Sequence, residues 1–490
     1  MNDFFKNIQE DKIYKFFSGG IWQKSKNGRT IDINSPVDGS LVGKIQAMEK
    51  SEIDEMVKGA MEAQKLWVNY SIEDRAALIK KAAELIRENI DEILPVKVME
   101  IGKTKKATES SILRSADIIS YTADQIEVAN HPEVFYSKDF PGAGDSKTAF
   151  VSREPWGVVL AISPFNYPIN LAVTKIAPAL LTGNSIIVKG PTQGSICTAM
   201  LVEVFNKAGI PAGVINFVSG RGSELGDYLI THKGINMVDF TGSTEIGESL
   251  SQKIGFKPLL LEMGGKDAAL VFDDADLDLA ASEIVDGAFS YAGQRCTAIK
   301  RVLVNKNIHD QLLEKIINKT KEKYNLVGDP SKDETQMGPV ISEKQAEYIQ
   351  ELVFDAVEAG AKIVIGGARK LNYFDATVLD GVNTEMRIAW EEQFGPVLPI
   401  ISCDNIEQMI EIHNKSQYGL GGSIFTADIE KAKEIAKKLQ TGVIQINKKS
   451  ERYPDNFPFL GVKDSGLGTQ GVHWSIEAMS RIKSVVENKD

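Results

Sequence analysis

The chain has 490 residues, 43% hydrophobic and 25% charged, too long for one compact core, so two or three packed units are expected. Its 67 acidic against 56 basic residues leave a formal charge of −11, which argues against broad affinity for nucleic acid, because such binding rests on Lys and Arg neutralising phosphates. The three cysteines are scattered and the five histidines stand apart, so neither a disulfide framework nor a metal site is expected.

Residues 1–17 alternate Asp, Lys, Glu and Phe without an apolar stretch of signal-peptide length, and no later stretch is apolar for a membrane-spanning length. A cytoplasmic protein without a membrane partner is expected. Residues 51–67 and 71–90 read as helices; Ser71 with Asp74 gives a capping pattern, and Ile79, Ala82, Ala83 and Ile86 follow helical spacing. The segment 131–151, with a Pro-Gly-Ala-Gly turn, shows no core pattern and reads as an arm. Short apolar strands then alternate with helices: 158–162, 185–189, 214–218 and 237–241. That alternation predicts a parallel, doubly wound sheet. It resumes with strands at 268–272 and 302–304 flanking a helix over 277–291, which predicts a second α/β unit with its boundary near Leu261.

Two glycine turns stand between predicted strands and helices. Gly220-Arg-Gly-Ser-Glu-Leu-Gly226 is one residue too long for the dinucleotide fingerprint, and Phe240-Thr-Gly-Ser-Thr-Glu-Ile-Gly247 adds the Ser243 hydroxyl at a helix start. Free N–H groups and the helix dipole suit such turns to phosphate, although a turn of this kind is also ordinary punctuation. Glu262 ends an apolar strand before Met-Gly-Gly-Lys266, where partial burial would raise its pKa toward the range of a general base. Cys296 follows a predicted helix beside Arg295, a cation that would favour its thiolate; a buried structural thiol is the competing reading. Asp273-Asp-Ala-Asp-Leu-Asp278 lacks the Gly and Glu of a calcium loop, so helix capping is its better account.

Glu262-Met-Gly-Gly-Lys followed 34 residues later by Cys296 in Gly-Gln-Arg-Cys resembles the aldehyde dehydrogenase superfamily. Ser163-Pro-Phe-Asn-Tyr-Pro168, Phe240-Thr-Gly-Ser-Thr244, Glu391-Glu-Gln-Phe-Gly-Pro396 and Ser465-Gly-Leu-Gly468 extend the resemblance over nearly the whole chain. It implies an α/β fold of two doubly wound parallel-sheet domains plus a β oligomerisation arm. The dinucleotide-binding domain would span 1–132 and 153–261, the catalytic domain 262–460, and the arm 133–152 with 461–490, in a homotetramer or homodimer. It further implies Cys296 as nucleophile, Glu262 as the base that hydrolyses a thioester, and the Asn166 amide with the Cys296 N–H as oxyanion donors. Trp156, Lys189, Gly222 and Ser243 fall at adenosine and pyrophosphate positions, Gly226 and Thr241 lie in the same two turns, and Glu392 and Phe394 fall at the nicotinamide ribose. Relatives that prefer NAD carry an acid three residues after the lysine; Thr192 stands there, which implies NADP, with NAD possible. The usual Lys-Pro-Pro is Lys189-Gly-Pro191 here.

Within the superfamily the chain is most similar to the non-phosphorylating glyceraldehyde-3-phosphate dehydrogenases, through Ile162-Ser-Pro-Phe-Asn-Tyr-Pro-Ile-Asn170, Lys189-Gly-Pro-Thr-Gln-Gly194 and Asp455-Asn-Phe-Pro-Phe-Leu-Gly461. That resemblance implies a phosphorylated aldehyde read by Arg114, Tyr167, Arg295 and Arg452. Tyr453, where the subgroup has a small residue, would narrow the mouth. Three alternatives stand beside this reading. They are a dehydrogenase of another small aldehyde such as lactaldehyde, an acylating relative that uses coenzyme A, and a non-enzymatic protein on the same scaffold.

Overall fold

The structure, a computed structural model, describes residues 3–489. Its first sheet has eight strands in the spatial order Gly466–Leu467, Leu259–Glu262, Met237–Thr241, Val158–Ile162, Ser185–Lys189, Ile215–Val218, Phe16–Ser18, Ile21–Gln23. The five central strands are parallel; Gly466–Leu467 and Phe16–Ser18 pair antiparallel to them on either side, and Ile21–Gln23 pairs antiparallel with Phe16–Ser18. Period-two alternation divides their side chains between two cores: Val159, Ala161, Ile186 and Val188 face one, and Val158, Leu160, Ile187 and Val238 the other. Burial on both faces explains why these strands are mostly apolar, with Asn216 and Asp239 among the buried polar exceptions. Helix Asn170–Leu181, buried along its whole length, covers one face; Lys50–Trp67, Gly222–Thr231 and Thr244–Lys253 cover the other. The chain leaves strand Val158–Ile162 toward Ser185–Lys189 on one side, and Met237–Thr241 lies on its other side. The crevice beyond the carboxyl ends at that switch is where an open α/β sheet holds a ligand.

The second sheet has seven strands in the order Lys362–Ile365, Thr377–Asp380, Val397–Cys403, Arg301–Asn305, Ala268–Val271, Gly421–Phe425, Val443–Ile446. All its pairings are parallel except that of the edge strand Lys362–Ile365. Helix Leu277–Phe289 packs into its core and starts at Asp276, whose carboxylate accepts from the N–H groups of Asp278 and Leu279. The acidic run is therefore a cap, as expected.

A three-stranded ribbon pairs Lys147–Pro155 with Glu133–Tyr136 and Ser480–Asn488. Phe135, Phe150, Ile482 and Val485 are exposed on it. Of the stretch 461–490 expected in the arm, Gly466–Leu467 instead extends the first sheet, and Val472, Ile476 and Met479 pack into its core. A further four-stranded sheet, built from the short strands Gln9–Glu10, Ile13–Tyr14, Leu41–Gln46 and Thr30–Asn34, escaped the sequence reading.

Candidate active site

After helix Leu277–Phe289 the backbone turns through Tyr291 and Ala292, both at positive φ (56° and 51°). Non-glycine residues are held there only where the surroundings over-determine them. Gly293 follows at φ 67°, where a Cβ would stand 2.3 Å from the Gly395 carbonyl. This turn sets Cys296 opposite the end of strand Leu259–Glu262, and its thiol donates to Glu262 Oε1 at 3.7 Å. Burial first, then the Glu262 carboxylate, push the thiol up to about 12, against the pull of Lys300 and Arg452. The resting nucleophile is therefore a thiol with an acceptor beside it. Arg295, expected to favour the thiolate, sends its guanidinium to the Gly287 carbonyl at 2.6 Å. The cations that act on the sulfur come from Lys300, whose Nζ donates to the Cys296 carbonyl at 2.6 Å, and from Arg452.

Glu262 is buried and densely bonded. Its Oε2 accepts from Arg452 Nη1 at 2.6 Å and from Thr241 Oγ1 at 3.3 Å. Thr241, expected at the cofactor, thus supports the base; its hydroxyl also accepts from Lys175, which pairs with Asp239 in the same buried group. Asn166 donates to the Gln294 carbonyl at 2.9 Å, two residues before Cys296, and its buried Oδ1 has no partner.

Arg114, Tyr167, Arg295 and Arg452 line a single cavity of ≈ 240 Å³ together with Glu262 and Cys296. Sequence reasoning named these four; it missed Lys103, whose ammonium lies 3.8 Å above the Tyr167 ring and 4.8 Å above that of Tyr291. Burial, then the charges of Lys97, Arg295 and Arg114, hold that ammonium well below the usual lysine range. It also missed Asp455, which takes Arg114 Nε and Nη2 at 2.7 and 2.8 Å. Tyr453 stands at the wall, 60% exposed, 5.5 Å from the Arg114 guanidinium. No feature within the motifs signals these partners, which come from distant segments.

The dinucleotide positions gather at the carboxyl ends of the first sheet. Lys189 ends its strand, and its buried ammonium has one hydrogen bond, to the Gly190 carbonyl. Burial lowers it to about 8, with no carboxylate opposing the shift. Half-buried Thr192 follows in the loop. Gly190 replaces the usual proline because helix Ser195–Ala208 passes close by: a Cβ there would meet Thr198 Oγ1 at 2.6 Å. Gly222 opens its helix and Gly226 lies in the next turn, both facing open space. Ser243 is the exposed N-cap of helix Thr244–Lys253, and its hydroxyl makes no capping bond. Glu392 pairs with Lys300 at 3.0 Å and accepts from the Gly265 N–H, and Phe394 meets Phe165 edge-on at 5.9 Å.

Trp156 does not join them. It precedes strand Val158–Ile162, whose far end is level with Lys189, so it sits at the opposite end of the sheet, where its indole donates to the Ala478 carbonyl. Phe165, overlooked in the sequence, is the aromatic residue at the correct end. Among the described residues no group of three or more His, Cys, Asp or Glu side chains could hold a metal ion, and no helix is long and apolar enough to cross a membrane.

The aldehyde dehydrogenase family model matches residues 22–485. The chain is 47% identical to the NADP-dependent glyceraldehyde-3-phosphate dehydrogenase of Streptococcus equinus over 97% of its own length and 98% of the relative's. It is 35% identical to the lactaldehyde dehydrogenase of Methanocaldococcus jannaschii, over 96% of this chain and all of that one. The crystal structure of an NADP-dependent glyceraldehyde-3-phosphate dehydrogenase from Bacillus halodurans C-125, complexed with NADP, superposes with a TM-score of 0.95 at 47% identity, covering 97% of this chain and 99% of that one. With its two doubly wound sheets and a cysteine facing a glutamate between them, the chain belongs to the aldehyde dehydrogenase family.

Proposed function

We propose that this chain oxidises glyceraldehyde 3-phosphate to 3-phosphoglycerate with NADP, without phosphorylation, through a thioester on Cys296. The observation that carries the reading is one cavity holding a cysteine and a glutamate 3.7 Å apart with three arginines and a tyrosine in its walls. Arginine forks suit a phosphate dianion, and a neutral aldehyde would offer them no charge-assisted bond. The S. equinus relative, named for the same activity, supports it.

Cys296 attacks the aldehyde carbon while Glu262 Oε1 takes the thiol proton. The Asn166 amide and the Cys296 N–H hold the oxyanion, and Arg114, Arg295, Arg452 and Tyr167 hold the phosphate. The chemistry that NADP supplies is acceptance of the hydride from the former aldehyde carbon. Once Glu262 has released its proton, it draws one from water, which adds to the thioester and expels the sulfur. Lys189 fits the cofactor as a buried cation with no acid beside it, the complement of a 2′-phosphate. Thr192, Gly222, Gly226 and Ser243 would hold the adenosine and pyrophosphate, and Glu392 and Phe394 the nicotinamide ribose. A charged residue serving the phosphate is best tested at Arg114, because Arg452 also touches the base. Arg114→Met lowers kcat/KM for glyceraldehyde 3-phosphate by about 10- to 100-fold and leaves that for glyceraldehyde within about twofold. Equal losses on both would point to a folding role for Arg114. The second reading, oxidation of lactaldehyde, is favoured by the M. jannaschii relative's name and predicts the reverse preference in the unmutated enzyme.

The chain works in the cytoplasm as a homotetramer or homodimer joined through its arm, a reading supported by Phe135, Phe150, Ile482 and Val485, which a monomer leaves in water. Ile482→Glu shifts the protein to a smaller species by light scattering with its circular dichroism unchanged. An unshifted mass would remove the arm from the interface.

A further inference from the structure

Three observations at the base converge. The Arg452–Glu262 ion pair is short, 2.6 Å, and almost wholly buried, with side-chain exposures of 9% and 3%. Arg452 Nε is buried and has no hydrogen-bond partner, with the Asp455 carboxylate 4.0 Å away. Arg114, the neighbouring arginine, is held by both oxygens of Asp455 and also donates to the Arg452 carbonyl. Two of the three arginines facing the cavity therefore rest on carboxylates of the protein itself, and one of those carboxylates is the base.

Arg452 and Thr241 hold Oε2 and Oε1 faces the sulfur, so a proton taken from water by Glu262 forfeits its charge-assisted bond to Arg452. A dianion in the cavity competes for the Arg452 fork and offers the unpaired Nε an acceptor, since charge-assisted bonds to Arg are among the strong ones. We propose that Arg452 is shared between the base and the substrate, so that the phosphate which identifies the substrate also draws Arg452 off Glu262 and enables deacylation. This rests on the phosphorylated-aldehyde reading above. In the enabled step Oε2 takes a proton from water, the water oxygen bonds to the thioester carbon, and the carbon–sulfur bond breaks with its electron pair leaving on Sγ. Arg452 is thereby a positioning residue for the base as well as a phosphate ligand. Asp455 is a positioning residue that keeps Arg114 in place until the anion arrives.

The test is a single-turnover experiment with enzyme in excess over unphosphorylated glyceraldehyde in the presence of NADP, quenched in acid, with the acyl group on Cys296 quantified against time. In the unmutated enzyme the acyl-enzyme accumulates and decays slowly, and phosphite dianion added in trans speeds the decay by about tenfold or more. In Arg452→Met the acyl-enzyme from glyceraldehyde decays as fast as in the phosphite-activated enzyme and no longer responds to phosphite. The proposal is overturned if phosphite competes with glyceraldehyde 3-phosphate yet leaves the decay unchanged. It is equally overturned if no acyl-enzyme accumulates with glyceraldehyde, or if Arg452→Met decays no faster than the unmutated enzyme without phosphite. If phosphite does not compete and glyceraldehyde 3-phosphate is not preferred over glyceraldehyde, the phosphate reading itself has failed and this proposal falls with it.

Discussion

Glu262→Gln forms one equivalent of NADPH per active site and then stalls, whereas Cys296→Ala forms none. Without the sulfur there is no thioester for the first half-reaction to build. The glutamine amide still accepts from Arg452 and Thr241 where Glu262 does, so the cavity keeps its shape, but it takes no proton from water. Removing a positioned general base lowers a step by roughly 10²- to 10⁴-fold, and that loss falls on hydrolysis. The burst itself also slows, because the thiol sits near 12 with Glu262 as its adjoining acceptor. Stopped-flow absorbance of NADPH resolves the two phases. Unimpaired steady turnover by the glutamine variant would remove Glu262 from the mechanism.

The second large effect concerns the 2′-phosphate. Lys189→Met weakens NADP binding by about 10- to 100-fold, on the order of 1–3 kcal/mol, and barely changes NAD binding. Thr192→Glu acts in the same direction by placing a like charge near the phosphate. The titration has a definite sign. Burial lowers the Lys189 ammonium to about 8, so it is charged below that pH and neutral above it, and NADP affinity falls as pH rises from 7 through 8 to 9.5. Equilibrium binding followed by fluorescence reads both effects without turnover. A pH-independent NADP/NAD ratio, unchanged in Lys189→Met, would move the 2′-phosphate elsewhere.

Strands Val158–Ile162, Ser185–Lys189 and Met237–Thr241 were legible to the residue, because burial on both faces makes them mostly apolar and a glycine or proline stands just beyond their carboxyl ends. The two-residue strands before Ile45 were not, since two residues carry no period. Cys296 and Glu262 were legible from their flanking motifs. Their chemical setting was not: Arg452 reaches Glu262 across 190 residues of sequence and Asp455 reaches Arg114 across 341, and no local pattern encodes such a pairing. The assumed help from Arg295 shows the same gap, because adjacency in sequence does not say where a guanidinium points. Trp156 failed for a different reason. A residue preceding a parallel strand lies at the end away from the ligand crevice, a rule that the sequence already permitted and that selects Phe165 instead.

On this mechanism the aldehyde carbon becomes a thioester on Cys296 in a cavity that holds the phosphate. The most direct measurement is peptide mass spectrometry of Glu262→Gln after one acid-quenched turnover with glyceraldehyde 3-phosphate and NADP. A phosphoglyceroyl group is expected on the Cys296 peptide, in an amount equal to the NADPH formed, with Cys197 and Cys403 unmodified. NADPH formed with an unmodified Cys296 peptide would contradict it.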